Sequence, residues 1–250
     1  MSGHSHWARI RRAKAANDAK RGRVWSKLAR RIIVAAKTGG GNPEENLSLR
    51  YAIDDAKGAN MPNDTIRKAI MKGTGELGAQ NYEEVTYEGY GPGGVAFLVE
   101  CLTDNRNRTA SEMRKTFERS GGQLGSINCV AWMFENKGTF VVSSEIADED
   151  TLVEIAVEAG ADDVTSDGNL FEITCQTGAF SEVKQVLADR EIETVSAEIA
   201  MVPKSTVSVE GDKARQVLRL MESFEEHDDV QHVYANFEVP DDVMAEAEKG

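Results

Sequence analysis

Side chains that bind polyanions are concentrated at the amino-terminal end of this sequence. The first 37 residues contain eleven lysines and arginines and a single acidic residue, Asp18. The other 213 residues contain eighteen basic and forty-one acidic residues. A segment of one charge sign on a body of the opposite sign typically binds a polyanion. We therefore predict that the amino-terminal segment contacts nucleic acid and that the acidic body is held away from it.

This basic segment offers two kinds of contact, phosphate neutralisation by cations and stacking by aromatic rings. His4 and His6 could instead form a metal pair, but no cysteine or acid lies near them. A short basic run can also be a solvated surface or a targeting signal. The predicted nucleic-acid contacts are His4, His6, Trp7, Arg9, Arg11, Arg12, Lys14, Lys20, Arg21, Arg23, Lys27, Arg30 and Arg31.

The second half of the segment is predicted to be an amphipathic helix. At 100° per residue, six of its cations fall within an arc of about 120°: Lys20, Arg23, Lys27, Arg30, Arg31 and Lys37. The opposite side is apolar, and Gly39, Gly40 and Gly41 end the helix. Residues 1–13 lack apolar periodicity, so we expect them to be extended or disordered until a partner orders them.

Two more short helices follow and predict a three-helix bundle within residues 1–78. Asn42, Pro43 and Glu45 favour a helix start that leads to Gly58. A third helix opens at 63–65 and ends at Gly73. A helix-turn-helix is the alternative. In that case, however, only Arg67, Lys68 and Lys72 of the third helix could contact a DNA groove.

The acidic body predicts two β-α-β-β-α-β units of the ferredoxin-like type. The first unit comprises residues 79–137 and 203–240, with strands at 95–102, 129–134, 206–209 and 230–239. The second comprises residues 138–202 and is inserted where the first would form its central hairpin. Two consecutive α/β domains are the alternative, and 241–250 is an acidic tail. The predicted fold class is therefore α+β, with a helical bundle followed by the two α/β units.

Two features of the first unit suggest a second anion contact. Arg106 and Arg108 come just before a helix that the box 109–112 is expected to cap, and a helix start attracts anions. Tyr90 is expected at the tip of the glycine-rich turn 89–94. The alternative for the two arginines is simple pairing with the acidic surface around them.

No motif in the sequence indicates catalysis, so we expect no enzyme, cofactor, metal or small-molecule substrate. Two stretches, 73–78 and 89–94, match G-x-G-x-x-G, but neither leaves a strand and opens a helix, as a dinucleotide site requires. No apolar run reaches the roughly 18 residues of a membrane span. We therefore expect a cytoplasmic protein without a membrane partner. Its three cysteines are expected to be reduced core residues: Cys101, Cys129 and Cys175.

Four separated blocks of the sequence resemble the YebC/PmpR family. They read GHSHWARIRRAKAANDAKRG, TGGGNPEEN, YEGYGPGG and CLTDNRNRTASEMR, in the family's order. The resemblance implies a cytoplasmic, three-domain, non-enzymatic regulator of gene expression, labelled in the family as a probable transcriptional regulator that binds DNA. It equally implies an alternative, a translation factor that binds ribosomal RNA and the ribosome, because the mitochondrial relative activates translation and bacterial members are linked to stalled ribosomes. A protein-interaction module that uses the acidic domains is the third possibility.

Overall fold

The computed structural model describes residues 18–78, 81–167, 169–240 and 243. Its first unit is a bundle of α1 (Asp18–Gly39), α2 (Leu47–Gly58) and α3 (Asn63–Gly73). The three-helix bundle expected from the sequence is confirmed. Its core consists of buried apolar side chains from all three helices, among them Leu28, Ile32, Ile33, Leu49, Ile53 and Ile66.

The second helix begins four residues later than the sequence predicted, at Leu47 instead of Pro43. The cap is Asn46, whose side-chain oxygen accepts a hydrogen bond from the Leu49 amide at 3.1 Å. The Asn46 amide group also donates to the carbonyl oxygens of Ala35 and Gly40, each at 2.8 Å. Asn46 is therefore the better cap, because the same buried side chain fixes α2 against the end of α1.

The body of the protein contains two four-stranded antiparallel sheets. Its elements in chain order are β1 (Glu83–Tyr90), β2 (Ala96–Thr103), α4 (Arg106–Arg119), β3 (Gln123–Leu124), β4 (Phe134–Ser143), α5 (Glu149–Glu158), β5 (Ala161–Asp167), β6 (Leu170–Gln176), α6 (Phe180–Asp189), β7 (Thr194–Pro203), β8 (Val207–Ser208), α7 (Gly211–Glu225), β9 (Val230–Ala235) and β10 (Phe237–Glu238).

The first sheet has the strand order β3-β1-β2-β9, and its core lies between the sheet and the helices α4 and α7. Three rings form the centre of this core. Phe97 of β2 packs against Phe117 of α4 and Phe224 of α7, with centroid distances of 6.1 and 6.0 Å. The two helix rings are 4.8 Å apart. The aromatic cluster thus holds α4 and α7 against the same face of the sheet.

The second sheet has the order β5-β6-β4-β7, which is the strand order of a split βαβ unit. Helices α5 and α6 cover one face, and Phe140 of β4 stacks on Phe180 of α6 at 4.9 Å. The expected ferredoxin-like pattern is present here, and the predicted α+β class is confirmed.

Two strands of the first sheet differ from those expected. The strand expected at 206–209 is the two-residue β8, which pairs in parallel with β10 outside the four-stranded sheet. A ferredoxin-like strand order would place the 206–209 strand next to β2, but β1 occupies that position. β1 and β2 are joined by a short turn and pair along their whole length. In that turn Gly93 and Gly94 have positive φ angles of 76° and 81°, a conformation that glycine adopts readily and that agrees with the turn predicted at 89–94.

The strand expected at 129–134 is instead a loop, and β4 begins only at Phe134. The cause is Glu88 of β1, whose buried carboxylate accepts hydrogen bonds from three backbone positions of the loop. Its donors are the amides of Asn128, Val130 and Ala131, at 2.7, 2.8 and 2.8 Å. These amides are therefore not available for hydrogen bonds to a neighbouring strand.

The chain enters and leaves the second unit at one point of the first unit. The Lys204 amide donates to the Met133 carbonyl oxygen at 2.8 Å, and Glu135 is the register partner of Val202. Phe134 and Ala200 at this end pack with Ala96 on the other face of the first sheet.

We expect the second unit to be removable as an insertion. Replacing residues 136–201 with a two-residue Asn-Gly turn should leave a remainder that keeps its secondary structure by circular dichroism and unfolds cooperatively. Its melting temperature should fall, because Ala200 no longer covers Ala96. A matched fragment of residues 134–203 should fold alone. A remainder without cooperative unfolding would support consecutive, interdependent domains.

Two of the three cysteines are buried and Cys129 is half-buried, all as free thiols. Burial raises the pKa of Cys101 to about 12, so this thiol is inert at neutral pH. Within the described part of the chain, no helix is both long enough and apolar enough to cross a bilayer.

Candidate nucleic-acid interface

Three cations of α1, Arg23, Lys27 and Arg30, contact the end of α7 and the turn that leads to β9, because the apolar side of α1 is buried in the bundle. This region contains four acids, which we call the acidic corner: Glu225, Glu226, Asp228 and Asp229. Arg23 lies 3.6 Å from the Glu226 carboxylate. Lys27 donates to the backbone carbonyl of Glu225 at 2.6 Å. The predicted nucleic-acid stripe is thus already in contact with acids of the protein's own body.

Asp229 is the centre of this contact and is 3% exposed. One carboxylate oxygen lies 3.3 Å from the Arg30 guanidinium. The other accepts hydrogen bonds from Arg108 of α4 at 2.7 Å and from the Thr109 hydroxyl at 2.8 Å. Arg30 also donates to the Asp228 carbonyl and lies over the ring of Tyr82 at 5.7 Å. A single buried carboxylate therefore joins α1, α4 and the acidic corner.

These contacts keep Asp229 ionised. Burial by itself would raise the pKa of Asp229, but the hydrogen bonds from Arg108 and Thr109 and the charges of Arg108 and Arg30 lower the pKa below its ordinary value. The pKa of Arg108 is raised, chiefly by its hydrogen bond to Asp229. Each partner thus stabilises the charged form of the other.

Arg106 and Arg108 lie inside the first turn of α4, so the prediction that they precede the helix is wrong. The cap is Asn105, whose side chain accepts the Arg108 amide at 3.1 Å. Thr109, expected as the cap, is buried and its hydroxyl is used by Asp229. Both arginines are exposed, and Arg108 also pairs with Asp104 at 3.0 Å.

Tyr90 is the last residue of β1 and is half-buried, so its predicted position at the tip of the turn is wrong. Its hydroxyl donates to the carbonyl oxygen of Cys129 at 3.3 Å. β1 extends to Tyr90 because this residue pairs with Ala96 on one side and Gln123 on the other. The ring therefore belongs to the packing between β1 and the following loop.

The remaining predicted residues divide into three groups. Arg21 is exposed at the start of α1, and Arg31 pairs with Asp55 of α2 at 2.9 Å. Trp25, which lies between Arg23 and Lys27 in the sequence and was not a predicted contact, donates its indole N–H to the Ala59 carbonyl oxygen at 3.0 Å and packs on the bundle core. Outside the described residues or side chains lie His4, His6, Trp7, Arg9, Arg11, Arg12, Lys14 and Lys20.

A cleft of about 1060 Å³ opens between the bundle, the first sheet and the second sheet. Its lining contains seven carboxylates against four lysines and arginines. Arg23, Lys27 and Arg31 lie on the bundle wall, and Glu198, Glu222 and Glu226 on the body wall. A polyanion is repelled by such a lining. The cleft is thus a junction of opposite charges and fits a nucleic acid poorly.

One group of potential metal ligands occurs within the described residues, formed by Glu112, His227 and Asp229. The Nε2 atom of His227 is 2.9 Å from the Glu112 carboxylate, and its Nδ1 accepts the Asp229 amide at 3.1 Å. Both ring nitrogens are therefore engaged in hydrogen bonds. The group is explained as a polar link between α4 and the acidic corner.

The sequence analysis missed the acidic corner and the carboxyl-terminal half of α4. The run from Glu225 to Asp229 is visible in the sequence as five consecutive polar residues, but nothing local indicates that it contacts α1. Along α4, Arg114, Lys115 and Arg119 are exposed cations in an otherwise acidic body. A charge count for each predicted helix would have detected this second group.

The fold and this interface define a class of three-unit α+β protein whose basic amino-terminal helix docks on an acidic body. Residues 5–76 match the TACO1/YebC protein N-terminal domain, and residues 82–237 match the TACO1/YebC second and third domain. The chain belongs to the TACO1/YebC family. The family resemblance seen in the sequence is confirmed.

Curated relatives are similar along nearly their whole length. A protein of Dictyoglomus turgidum is 53% identical over 98% of both chains, and one of Pelotomaculum thermopropionicum is 54% identical over 96% of this chain and all of that one. Both are named "Probable transcriptional regulatory protein". The crystal structure of the conserved hypothetical protein Aq1575 from Aquifex aeolicus superposes with a TM-score of 0.81 at 47% identity, covering 89% of this chain and 92% of that chain.

Proposed function

We propose that this protein is a non-enzymatic, cytoplasmic regulator of gene expression that binds DNA through its basic amino-terminal region. One observation carries the proposal: eleven cations and one acid occupy the first 37 residues of a chain whose formal net charge is −13. A nucleic acid is the polyanion best suited to such a segment, since each neutralised phosphate releases condensed counterions. The name shared by the relatives, transcriptional regulatory protein, supports DNA as the target.

The contacts of α1 divide its cations into two groups. Arg23 and Glu226 are both exposed, and an exposed ion pair contributes only about 0–1 kcal/mol, so a phosphate can replace Glu226 as the partner of Arg23. Arg30 is bound to the buried Asp229, and an ion pair with a buried carboxylate is costlier to break than an exposed one. We therefore assign DNA contact to residues 4–14 together with Lys20, Arg21 and Arg23, and assign Arg30 to docking of the helix.

Neutralising the basic residues ahead of α1 should weaken DNA binding in a salt-dependent way. In a variant with Arg9, Arg11, Arg12 and Lys14 changed to Gln, the slope of log K against log salt should flatten by up to about four units, one for each phosphate that is no longer neutralised. The measurement is a fluorescence-anisotropy titration of full-length protein with duplex DNA over a range of salt concentrations.

The matched control removes the same charge from the exposed surface of the body, by changing Arg190, Lys204, Lys213 and Arg215 to Gln. Its slope should equal that of the unmodified protein. Equal slopes for all three proteins would refute the assignment to the amino-terminal region. Binding to structured RNA with no measurable binding to duplex DNA would refute DNA as the target and favour a role in translation.

A further inference from the structure

Helix α4 is the basic helix of an acidic body. Residues 76–250 contain thirteen lysines and arginines, and five of them lie within the 14 residues of α4. The same helix has only two acids, Glu112 and Glu118. In contrast, α5 has four acids and no cation. The largest single group of the body's cations therefore lies on one helix.

Three of these cations are available to a ligand. Arg114, Lys115 and Arg119 are exposed, and none of them has an ion pair or hydrogen bond within the described part of the chain. Glu112, which lies between the two ends of the helix, is engaged by His227 at 2.9 Å. Cations that lie close together repel one another, so this arrangement lowers stability unless a polyanion neutralises it.

The cations form a stripe of defined geometry. At 100° per residue, Arg108, Lys115 and Arg119 fall within about 40° of one another, on the side opposite the buried Met113 and Phe117, and Arg114 lies to one side of them, about 100° from Lys115. The stripe is about 16 Å long at a rise of 1.5 Å per residue. Since Met113 and Phe117 are fully buried, the helix cannot rotate and the stripe is held rigidly toward solvent.

The stripe begins beside α1. Arg108 and Arg30 bind the two different oxygens of the Asp229 carboxylate, at 2.7 and 3.3 Å, so their guanidinium groups are neighbours. The amino-terminal end of α4 therefore lies next to α1.

We propose that the exposed face of α4 is a second binding surface for the DNA phosphate backbone, formed by Arg114, Lys115 and Arg119. This proposal rests on the DNA-binding function proposed above. The carboxyl-terminal half of α4 has arginine and lysine but no Asn or Gln. This surface therefore contacts phosphates and adds affinity without distinguishing one DNA sequence from another.

The test is a full-length variant with Arg114, Lys115 and Arg119 changed to Gln, titrated with mixed-sequence duplex DNA. Its salt slope should be shallower by about three units, so that between about 50 and 200 mM salt the affinity of the unmodified protein falls about 40-fold more than that of the variant. The reduction should be the same for unrelated DNA sequences. The melting temperature should not fall, because the substitutions break no ion pair or hydrogen bond within the described ranges of the chain.

The control variant, with Arg190, Lys204 and Lys213 changed to Gln, removes the same three charges elsewhere on the body. If affinity falls equally in both variants, the effect is one of net charge and the second surface does not exist. If the unmodified protein binds DNA and the α4 variant binds with an unchanged slope, the second surface is wrong while the proposed function stands. If the unmodified protein does not bind duplex DNA, both fail. An effect seen with an RNA hairpin but not with DNA would also overturn the surface as stated.

Discussion

Replacement of Asp229 by Ala is expected to lower the free energy of unfolding by about 3–5 kcal/mol, because it leaves Arg30 and Arg108 without their shared buried partner. The Thr109 hydroxyl, which is fully buried, loses an acceptor at the same time. Urea denaturation followed by circular dichroism at neutral pH measures the change. The effect is large because the carboxylate serves α1 and α4 together.

The same carboxylate predicts how stability depends on pH. The pKa of Asp229 is lowered in the folded state, so its contribution is complete above the unfolded-state pKa of about 3.9 and is lost as pH falls through the lower, folded pKa. The difference in unfolding free energy between the unmodified protein and Asp229→Asn should therefore be greatest at neutral pH and shrink below about pH 4.

The control is Asp228→Ala, which removes an equal charge from the neighbouring position. The Asp228 side chain is exposed, and only its backbone carbonyl contacts Arg30. The free energy of unfolding should therefore change by no more than about 0.5 kcal/mol. Equal effects at both positions would show that the corner acts only through its net charge.

Replacement of Glu88 by Ala is expected to destabilise the first unit by about 3 kcal/mol or more. Glu88 is 5% exposed, and its removal leaves the amides of Asn128, Val130 and Ala131 without their acceptor. Each buried donor without a partner costs about 1–3 kcal/mol, and bonds to a carboxylate are the stronger kind.

Two measurements separate this role from a general effect on β1. Native-state hydrogen exchange should accelerate at these three amides before the rest of the sheet is affected. Glu88→Gln, which keeps one oxygen acceptor, should lie between Ala and the unmodified protein. Glu84→Ala on the same strand, at an exposed position, should have little effect. Unchanged exchange rates in Glu88→Ala would contradict the assigned role.

Periodic patterns in the sequence were enough to predict the elements that depend on local packing. The apolar side of α1 and the β-α-β-β-α-β order of the second unit correspond closely to the structure, because burial of one face decides both. The N-cap residues of α2 and α4 could not be predicted from such patterns. Asn42 and Thr109 are good caps by type, but Asn46 and Asn105 have that role because tertiary contacts, such as the bond from Thr109 to Asp229, decide between the candidates.

The candidate interface was predicted only as far as charge alone allows. Basic residues on α1 were evident, yet their contacts with Glu226 and Asp229 join positions about 200 residues apart, and no local pattern specifies such a pair. The position of β1 next to β2 is a similar case. It follows from hairpin pairing over eight residue pairs, which a strand of two residues such as β8 cannot match.

The long separation between β2 and β9 also determines the order of events while the chain is being synthesised. Phe97 pairs with Ala235, and all of β4 to β7 is translated between them. At roughly 5–20 residues per second, about 7–28 s pass between the synthesis of β2 and that of its neighbour. The second unit needs no residue from outside its own segment to complete its sheet, so it can fold on the ribosome during that interval. Until β9 emerges, the edge of β2 that pairs with it is open to pairing with the strands of other chains.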